Sequence, residues 1–341
     1  MAQPPASHVR TPLLPGVYVP TMTFFDPATE DLDIPTIRTH AVRLAKAGVA
    51  GLITMGSNGE AVHLSRAERA LVTQHTRSAL DEAGFKHTPV ISGATDQGVR
   101  GTIEICREAA DAGAEYILLI SPSYYRAAMG DQNTLFEYFT KVADGSPLPI
   151  ILYNFPGVVS GIDMDSDFII RLSQHPNIIG TKFTCGSTGK LCRVASAMNA
   201  ITPVSPLAKG PAETTATSLM SPPYYAFGGY ADFALQTLVS GGSGIVAGGA
   251  NVLPRLCVEV FNLWSQGQLA EAMEMQKILS DGDWIMSKYT IPGTKSAIQA
   301  CYGYGGYPRA PMPRLTEAQE KEVADKIKPA MVIETKLKDV A

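Results

Sequence analysis

Short apolar segments alternate with longer amphipathic segments along most of this 341-residue chain. The apolar segments have the length of β-strands, and helix-length segments separate them, which is typical of repeated β-α units. Eight such segments are found at residues 17–25, 51–55, 89–93, 116–120, 150–152, 178–180, 224–227 and 244–247. Eight strands alternating with helices over about 240 residues favour a (β/α)8 TIM barrel of the α/β class over a doubly wound sheet.

The residues on either side of this alternation have a different character. Residues 1–15 are rich in proline and predict an extended N-terminal arm. Residues 16–250 would form the barrel, and residues 251–341 predict a C-terminal helical extension. Two helix starts within the chain carry the capping-box pattern, Ser65 with Glu68 and Thr316 with Gln319. Residues 200–223 have no clear periodicity and predict a long loop, which is commonly functional or mobile.

Composition excludes several classes of partner. The net charge is −4, and no basic run or face is visible, which argues against nucleic acid. No segment approaches the ~20 apolar residues of a membrane span, and the amino terminus does not resemble a signal peptide. Five cysteines without a C-x-x-C pair favour a reducing compartment, so we expect a cytoplasmic protein.

The fifth and sixth predicted strands each end on a residue that can do chemistry. Tyr153 ends the first and Lys182 ends the second, and a barrel brings strand ends of this kind to one rim. A lysine or tyrosine in such a place more commonly has a structural role, as a surface ion pair or a capped strand end. An unperturbed lysine is neutral in only about one molecule in ~2,500 at pH 7, but burial restores the nucleophile. The pair predicts a Schiff base on Lys182 with Tyr153 as its proton carrier.

Other strand ends contribute weaker signals. The turn GSNGE places Ser57 and Asn58 between glycines, where they could bind a carboxylate, although an ordinary loop is the commoner explanation. Tyr124 and Tyr125 follow the fourth strand and would serve either packing or a proton relay. The segment GSGIVA at 242–247 matches a dinucleotide fingerprint only weakly. The six histidines form no metal-binding pattern, and no serine nucleophile elbow occurs, so neither a metal nor a cofactor is expected.

Taken together, these motifs resemble the dihydrodipicolinate synthase / N-acetylneuraminate lyase family of pyruvate-dependent class I aldolases. The resemblance covers roughly residues 16–315 and rests on segments that occur in the family's order: GSNGE, PSYY at 122–125, YNFP at 153–156, IGTK at 179–182, and the glycines at 228–229 and 241–249. Each segment is weak by itself, and the ordered set is specific.

The resemblance implies a role for particular residues. Lys182 would form the imine with a 2-oxo acid, and Tyr153 would be the acid/base. Ser57 would share a proton relay with Tyr125, which in many members reaches into a neighbouring subunit, and the family makes a homotetramer of tight dimers the expected assembly. Ser57 and Asn58 would hold the substrate carboxylate, helped by the backbone at Val246.

Departures from the family pattern narrow the substrate. Dihydrodipicolinate synthases carry an arginine shortly after Y-N-x-P, whereas Val158 and Val159 stand here. Sialic acid lyases hold sugar hydroxyls with acids after the seventh-strand glycine, and of these only Asp232, after Gly229, remains. The segment YNFPGVVSGID, residues 153–163, resembles the corresponding segment of the fungal branch of the family, which cleaves 2-keto-3-deoxy-L-galactonate to pyruvate and L-glyceraldehyde. The alternatives are a 4-hydroxy-2-oxoglutarate aldolase, a related lyase or hydratase, and an inactive barrel that serves as a binding protein.

Overall fold

A computed structural model of the chain describes residues 10–203 and 223–340. Its centre is a closed barrel of eight parallel strands, in which each strand pairs with the next along the chain and the last pairs with the first. The strands are Gly16–Pro20 (β1), Gly51–Thr54 (β2), Val90–Gly93 (β3), Tyr116–Ile120 (β4), Ile150–Asn154 (β5), Ile178–Phe183 (β6), Tyr225–Gly228 (β7) and Gly244–Val246 (β8). The predicted TIM barrel is confirmed.

Helices follow the strands and cover the outside of the barrel. Within the described residues they are Ile34–Lys46 (α1), Arg66–Glu82 (α2), Val99–Asp111 (α3), Arg126–Met129 (α4), Gln132–Gly145 (α5), Ser166–Leu172 (α6), Thr188–Ala197 (α7), Ala234–Val239 (α8), Pro254–Ser265 (α9), Leu269–Lys288 (α10), Thr290–Tyr302 (α11) and Glu317–Glu334 (α12). None of them is long and apolar enough to cross a bilayer.

Both predicted capping boxes are present. The Ser65 hydroxyl accepts the Glu68 N–H at 3.3 Å, and the Glu68 carboxylate accepts the Ser65 N–H at 2.8 Å. Thr316 and Gln319 make the same reciprocal pair at the start of α12. Each cap satisfies amide groups that the helix itself cannot pair, an effect worth about 0.5–2 kcal/mol.

The first strand is shorter than the sequence predicts. It ends at Pro20, whereas the apolar pattern continues to Phe25. Phe24 and Phe25 are buried, but they lie in a turn in which Phe25 bridges Leu32 and the Asp33 N–H donates to the Phe24 carbonyl at 2.9 Å. The apolar pattern therefore predicted the burial of these residues correctly. Their backbone forms hydrogen bonds within the turn instead of extending the barrel strand.

The C-terminal helices share one apolar core with the barrel. Leu279 of α10, Ile298 of α11 and Val323 of α12 belong to the same buried cluster as Val17 and Leu52 of the first two strands. Packing is therefore continuous across residue 250, and the division of the chain at that point stays a prediction. Most of the predicted arm (residues 1–9) and of the 200–223 segment (residues 204–222) lies outside the described residues.

Candidate active site

Tyr153 and Lys182 lie side by side at the carboxyl ends of β5 and β6. The two residues are register partners in adjacent parallel strands. The Lys182 Nζ lies 4.1 Å from the centre of the Tyr153 ring. Each side chain is only 4% exposed. The barrel thus brings together the two residues that the sequence singled out, in a setting largely closed to water.

Burial changes the acid–base chemistry of both groups. It lowers the pKa of Lys182 to about 7, with no nearby charge contributing. Burial also raises the pKa of Tyr153, and the hydroxyls of Ser57 and Thr184 beside it offset part of that rise. A pKa near neutrality makes the neutral form of the Lys182 amine accessible at pH 7, while the phenol keeps its proton. A nucleophile and a proton donor are available at the same pH.

The turn after β2 brings Ser57 to this pair. The Ser57 Oγ lies 3.4 Å from the Tyr153 hydroxyl, so the two can exchange a proton. Asn58 follows and lies against Gly248, where a Cβ atom would sit 2.5 Å from the Asn58 Nδ2. A glycine at position 248 therefore allows the loop after β8 to approach the turn after β2.

Glu60 fixes the far end of the same turn. It has a left-handed φ of 53°, and its side chain is fully buried. Its Oε1 lies 2.6 Å from the Lys295 Nζ of α11, and its Oε2 accepts the Arg309 N–H at 2.9 Å. The carboxylate thus ties the GSNGE turn to the C-terminal helices, a role that the sequence did not suggest.

A cavity of about 150 Å³ opens at this end of the barrel. Its lining has an apolar part and a hydroxyl-rich part, and it includes Ser57, Asn58, Tyr153, Phe155, Lys182, Thr184, Gly229, Tyr230, Asp283, Met286, Ser287, Thr290, Ile291 and Thr294. Among the described residues that line it, Lys182 is the single cation. The cavity can therefore surround a small polar molecule attached to the amine.

Part of this lining was not found by sequence reasoning. Asp283, Met286 and Ser287 come from α10, and Thr290 and Thr294 come from α11. Asp283 is 2% exposed, and burial, reinforced by the charge of Asp232, raises its pKa to about 7. No signal in the sequence placed Asp283 at the cavity, because acidic residues usually lie on the exposed side of a helix and the burial of this one is visible only in the fold.

Three predicted residues lie away from the cavity lining in the single chain. Tyr125 is 71% exposed at the start of α4, next to Tyr124. Asp232 is exposed, and its backbone N–H, not its carboxylate, points to the site by donating to Asp283 at 3.0 Å. Val246 ends β8 with its side chain inside the barrel. Gly229 does line the cavity. The roles predicted for these residues stay predictions.

Comparison with known proteins agrees with the fold and the motif order. A model of the dihydrodipicolinate synthetase family matches residues 13–204 and 208–330. The chain belongs to this family. The resemblance drawn from the sequence is thereby confirmed.

Three relatives within the family carry aldolase names. An L-threo-3-deoxy-hexylosonate aldolase of Aspergillus niger is 66% identical, covering 97% of this chain and 99% of that protein. One from Hypocrea jecorina is 58% identical, covering 96% and 99%. A probable mitochondrial 4-hydroxy-2-oxoglutarate aldolase of Emericella nidulans is 46% identical, covering 88% and 89%.

A solved family structure has the same fold. A putative dihydrodipicolinate synthase family protein from Coccidioides immitis superposes with a TM-score of 0.80 at 30% identity. The match covers 97% of this chain and 100% of that one. The helices after the barrel are therefore part of a shared architecture, since the match spans nearly the whole chain.

Proposed function

We propose that this chain is a Schiff-base aldolase that cleaves a 2-keto-3-deoxy sugar acid to pyruvate and an aldehyde. The observation that carries the proposal is the buried Lys182 amine, with its pKa of about 7, next to the Tyr153 phenol. A neutral amine is the nucleophile that a carbonyl requires, and a phenol can donate the proton that its departing oxygen needs.

Imine formation uses both groups in turn. The Lys182 amine attacks the C2 carbonyl, and its proton moves to the new alkoxide to give a carbinolamine. Tyr153 then donates its proton to the carbinolamine hydroxyl, which leaves as water. The products of this stage are a protonated imine on Lys182 and a phenolate on Tyr153. Ser57, 3.4 Å from the phenol oxygen, is placed to stabilise that phenolate with a hydrogen bond.

Carbon–carbon cleavage uses the phenolate so formed. Tyr153 removes the proton of the C4 hydroxyl, the C3–C4 bond breaks, and its electrons enter the imine to give an enamine while the aldehyde leaves. Tyr153 returns the proton to C3, which leaves the protonated imine and the phenolate. Water then attacks the imine carbon, Tyr153 takes up the proton that this releases, and pyruvate, the neutral amine and the neutral phenol are formed. No external redox reagent or cofactor is needed, because the imine itself is the electron sink.

The substrate we propose first is 2-keto-3-deoxy-L-galactonate, which would give pyruvate and L-glyceraldehyde. Two observations support it. The relatives at 66% and 58% identity are named L-threo-3-deoxy-hexylosonate aldolases. The described cavity lining carries hydroxyl groups from Tyr230, Ser287, Thr290 and Thr294, which suit a polyhydroxylated chain.

The second candidate is 4-hydroxy-2-oxoglutarate, after the relative at 46% identity. This compound carries a second carboxylate, which would need a cation. Among the described lining residues Lys182 is the single cation, and Val158 lines the cavity near the position where the sequence lacks an arginine. The sugar acid is therefore the better fit. A hydratase would use the same Lys182 amine and is separated from an aldolase by its products, whereas the intact Lys182, Tyr153 and Ser57 set argues against an inactive binding barrel.

Assembly and location follow the same reasoning. We propose a homotetramer in which Tyr125 completes the neighbouring subunit's proton relay. The exposure of the Tyr124 and Tyr125 rings, at 79% and 71%, supports a contact there. A cytoplasmic location is proposed because all five cysteines are free in the structure.

Borohydride trapping tests the mechanism. Reduction in the presence of pyruvate should add a pyruvate-derived group to Lys182, located by peptide mass spectrometry, and Lys182→Arg should abolish it. Pyruvate release should then be compared between 2-keto-3-deoxy-L-galactonate and 4-hydroxy-2-oxoglutarate, with at least about tenfold higher kcat/KM for the sugar acid. An adduct on another lysine would refute the mechanism, and the reverse preference would refute the substrate.

A further inference from the structure

A buried carboxylate on a C-terminal helix faces the same cavity as the reactive amine. Asp283 lies on α10 and is one of the residues that line the cavity with Lys182 and Tyr153. It comes from a part of the chain beyond the eight barrel strands. Because none of the proton transfers described above uses it, its presence at the cavity requires another explanation.

Two neighbouring loops hold this carboxylate in a defined place. Its Oδ2 accepts the backbone N–H of Asp232, in the loop after β7, at 3.0 Å. A Cβ atom on Gly249, in the loop after β8, would lie 2.2 Å from its Oδ1. Any larger residue at position 249 would therefore displace the carboxylate. The two loops position the group with its orientation fixed by backbone contacts.

No described cation neutralises this group. Asp283 forms no ion pair with any lysine, arginine or histidine in the described residues, whereas the other deeply buried acids, Glu60 and Glu334, are paired with Lys295 and Arg255. Burying an unpaired acid is costly, and proteins keep such groups mainly at functional sites. Backbone N–H groups of Ala231, Asp232 and Gly249 offset part of the cost of burying Asp283, but no described cation does, and this contrast with the two paired acids favours a role toward a ligand.

The chemistry around Asp283 selects the ligand group that it would bind. Its neighbours in the lining are hydroxyl-bearing residues, including Tyr230 and Ser287. A carboxylate accepts strong hydrogen bonds from alcohols, and two adjacent hydroxyls can share its two oxygens. A second substrate carboxylate would instead be repelled by the ionised form of Asp283, and no described lysine, arginine or histidine forms an ion pair with Asp283 to offset that repulsion.

We propose that Asp283 is a substrate-recognition residue that binds the hydroxyl groups of the aldehyde half of the sugar acid and disfavours dicarboxylic substrates. This inference rests on the proposed function and names the group that would set its specificity. It differs from the sequence prediction, which gave this role to Asp232.

Asp283→Asn is the variant that tests it, because asparagine keeps the shape and removes the charge. We expect kcat/KM for 2-keto-3-deoxy-L-galactonate to fall about 10- to 100-fold, the usual loss when a hydrogen bond to a charged group is removed. Trapping of pyruvate on Lys182 should change less than about twofold, since pyruvate has no aldehyde half. With 4-hydroxy-2-oxoglutarate the rate should stay the same or rise.

Glu334→Gln is the matched control. Glu334 is an equally buried acid, but it lies on α12 and pairs with Arg255 outside the cavity. The Glu334→Gln substitution should lower the stability of the protein without changing the ratio of the rates with the two substrates. If Asp283→Asn lowers both substrate rates and pyruvate trapping by the same factor, or leaves the ratio unchanged, Asp283 has a structural role and the inference is overturned.

A shortened substrate makes the test specific to hydroxyls. 4-Hydroxy-2-oxopentanoate, which keeps the C4 hydroxyl but has none beyond it, should lose little when Asp283 is replaced. An equal loss with this compound would also overturn the inference. Failure of the proposed function looks different, because the unmodified protein would then release pyruvate from none of these acids.

Discussion

Replacing Lys182 with methionine should stabilise the folded chain at neutral and acidic pH. Methionine has a similar length and no charge to bury. Burial lowers the pKa of Lys182 from 10.5 to about 7 in the folded state. At ~1.36 kcal/mol per pKa unit, that difference corresponds to about 5 kcal/mol. The charged lysine lowers the free energy of unfolding by this amount at a pH where it is protonated in both the folded and the unfolded state.

The pH dependence gives this prediction its sign. Between the two pKa values the unfolded chain holds a proton that the folded chain has lost, so the free energy of unfolding of the unmodified protein rises as pH increases from 7 to 10.5. The methionine variant lacks this contribution. The free energy of unfolding of the variant should therefore exceed that of the unmodified protein by the full amount below about pH 7. The difference should be about 1–2 kcal/mol at pH 9.5 and should vanish above the pKa of the lysine in the unfolded chain.

Urea unfolding at pH 6 and pH 9.5 measures the effect. Lys141→Met is the control, because that lysine is 58% exposed and its removal should change stability by less than about 0.5 kcal/mol at either pH. If Lys182→Met is no more stable than the unmodified protein at pH 6, or is stabilised equally at both pH values, then burial does not lower the pKa of the Lys182 amine. The explanation of its nucleophilicity would then be wrong.

Three further substitutions test other parts of the site. Tyr153→Phe should lower kcat by ~10²–10⁴-fold while the Lys182 adduct still forms on long incubation, and a loss below tenfold would remove the phenol from the mechanism. Lys295→Met leaves Glu60 buried without its partner and should cost about 3–5 kcal/mol in urea unfolding, with part recovered when Glu60→Gln is added. Asp232→Asn should keep kcat/KM within about twofold because its side chain is exposed, and a tenfold loss would restore the sequence prediction.

Much of the fold could be predicted because it depends on local patterns. Strand β4 has the predicted bounds, and both capping boxes start the helices that they predicted. These features are determined by residues that are close together in the sequence. The end of β1 was mispredicted because apolar residues after Pro20 are buried through a turn, and periodicity does not distinguish the two kinds of burial.

The candidate site likewise contains residues that local sequence patterns could place and residues that they could not. Tyr153 and Lys182 end adjacent strands, so the barrel itself implied that they would meet. Asp283 could not be placed in this way, because its contact with the loops after β7 and β8 depends on how α10 folds back over the barrel. The helix pattern also concealed it, since Gln276 and Asp283 occupy core-facing positions where apolar residues are usual.

The Glu60–Lys295 pair has a consequence for the order in which the protein is made. The turn that would hold the substrate carboxylate is anchored by a residue of α11, and α10 supplies part of the cavity wall. A ribosome that has released all eight strands has therefore delivered the reactive amine but not yet the residues that close the site around it. Activity is therefore expected only when nearly the entire polypeptide has left the exit tunnel.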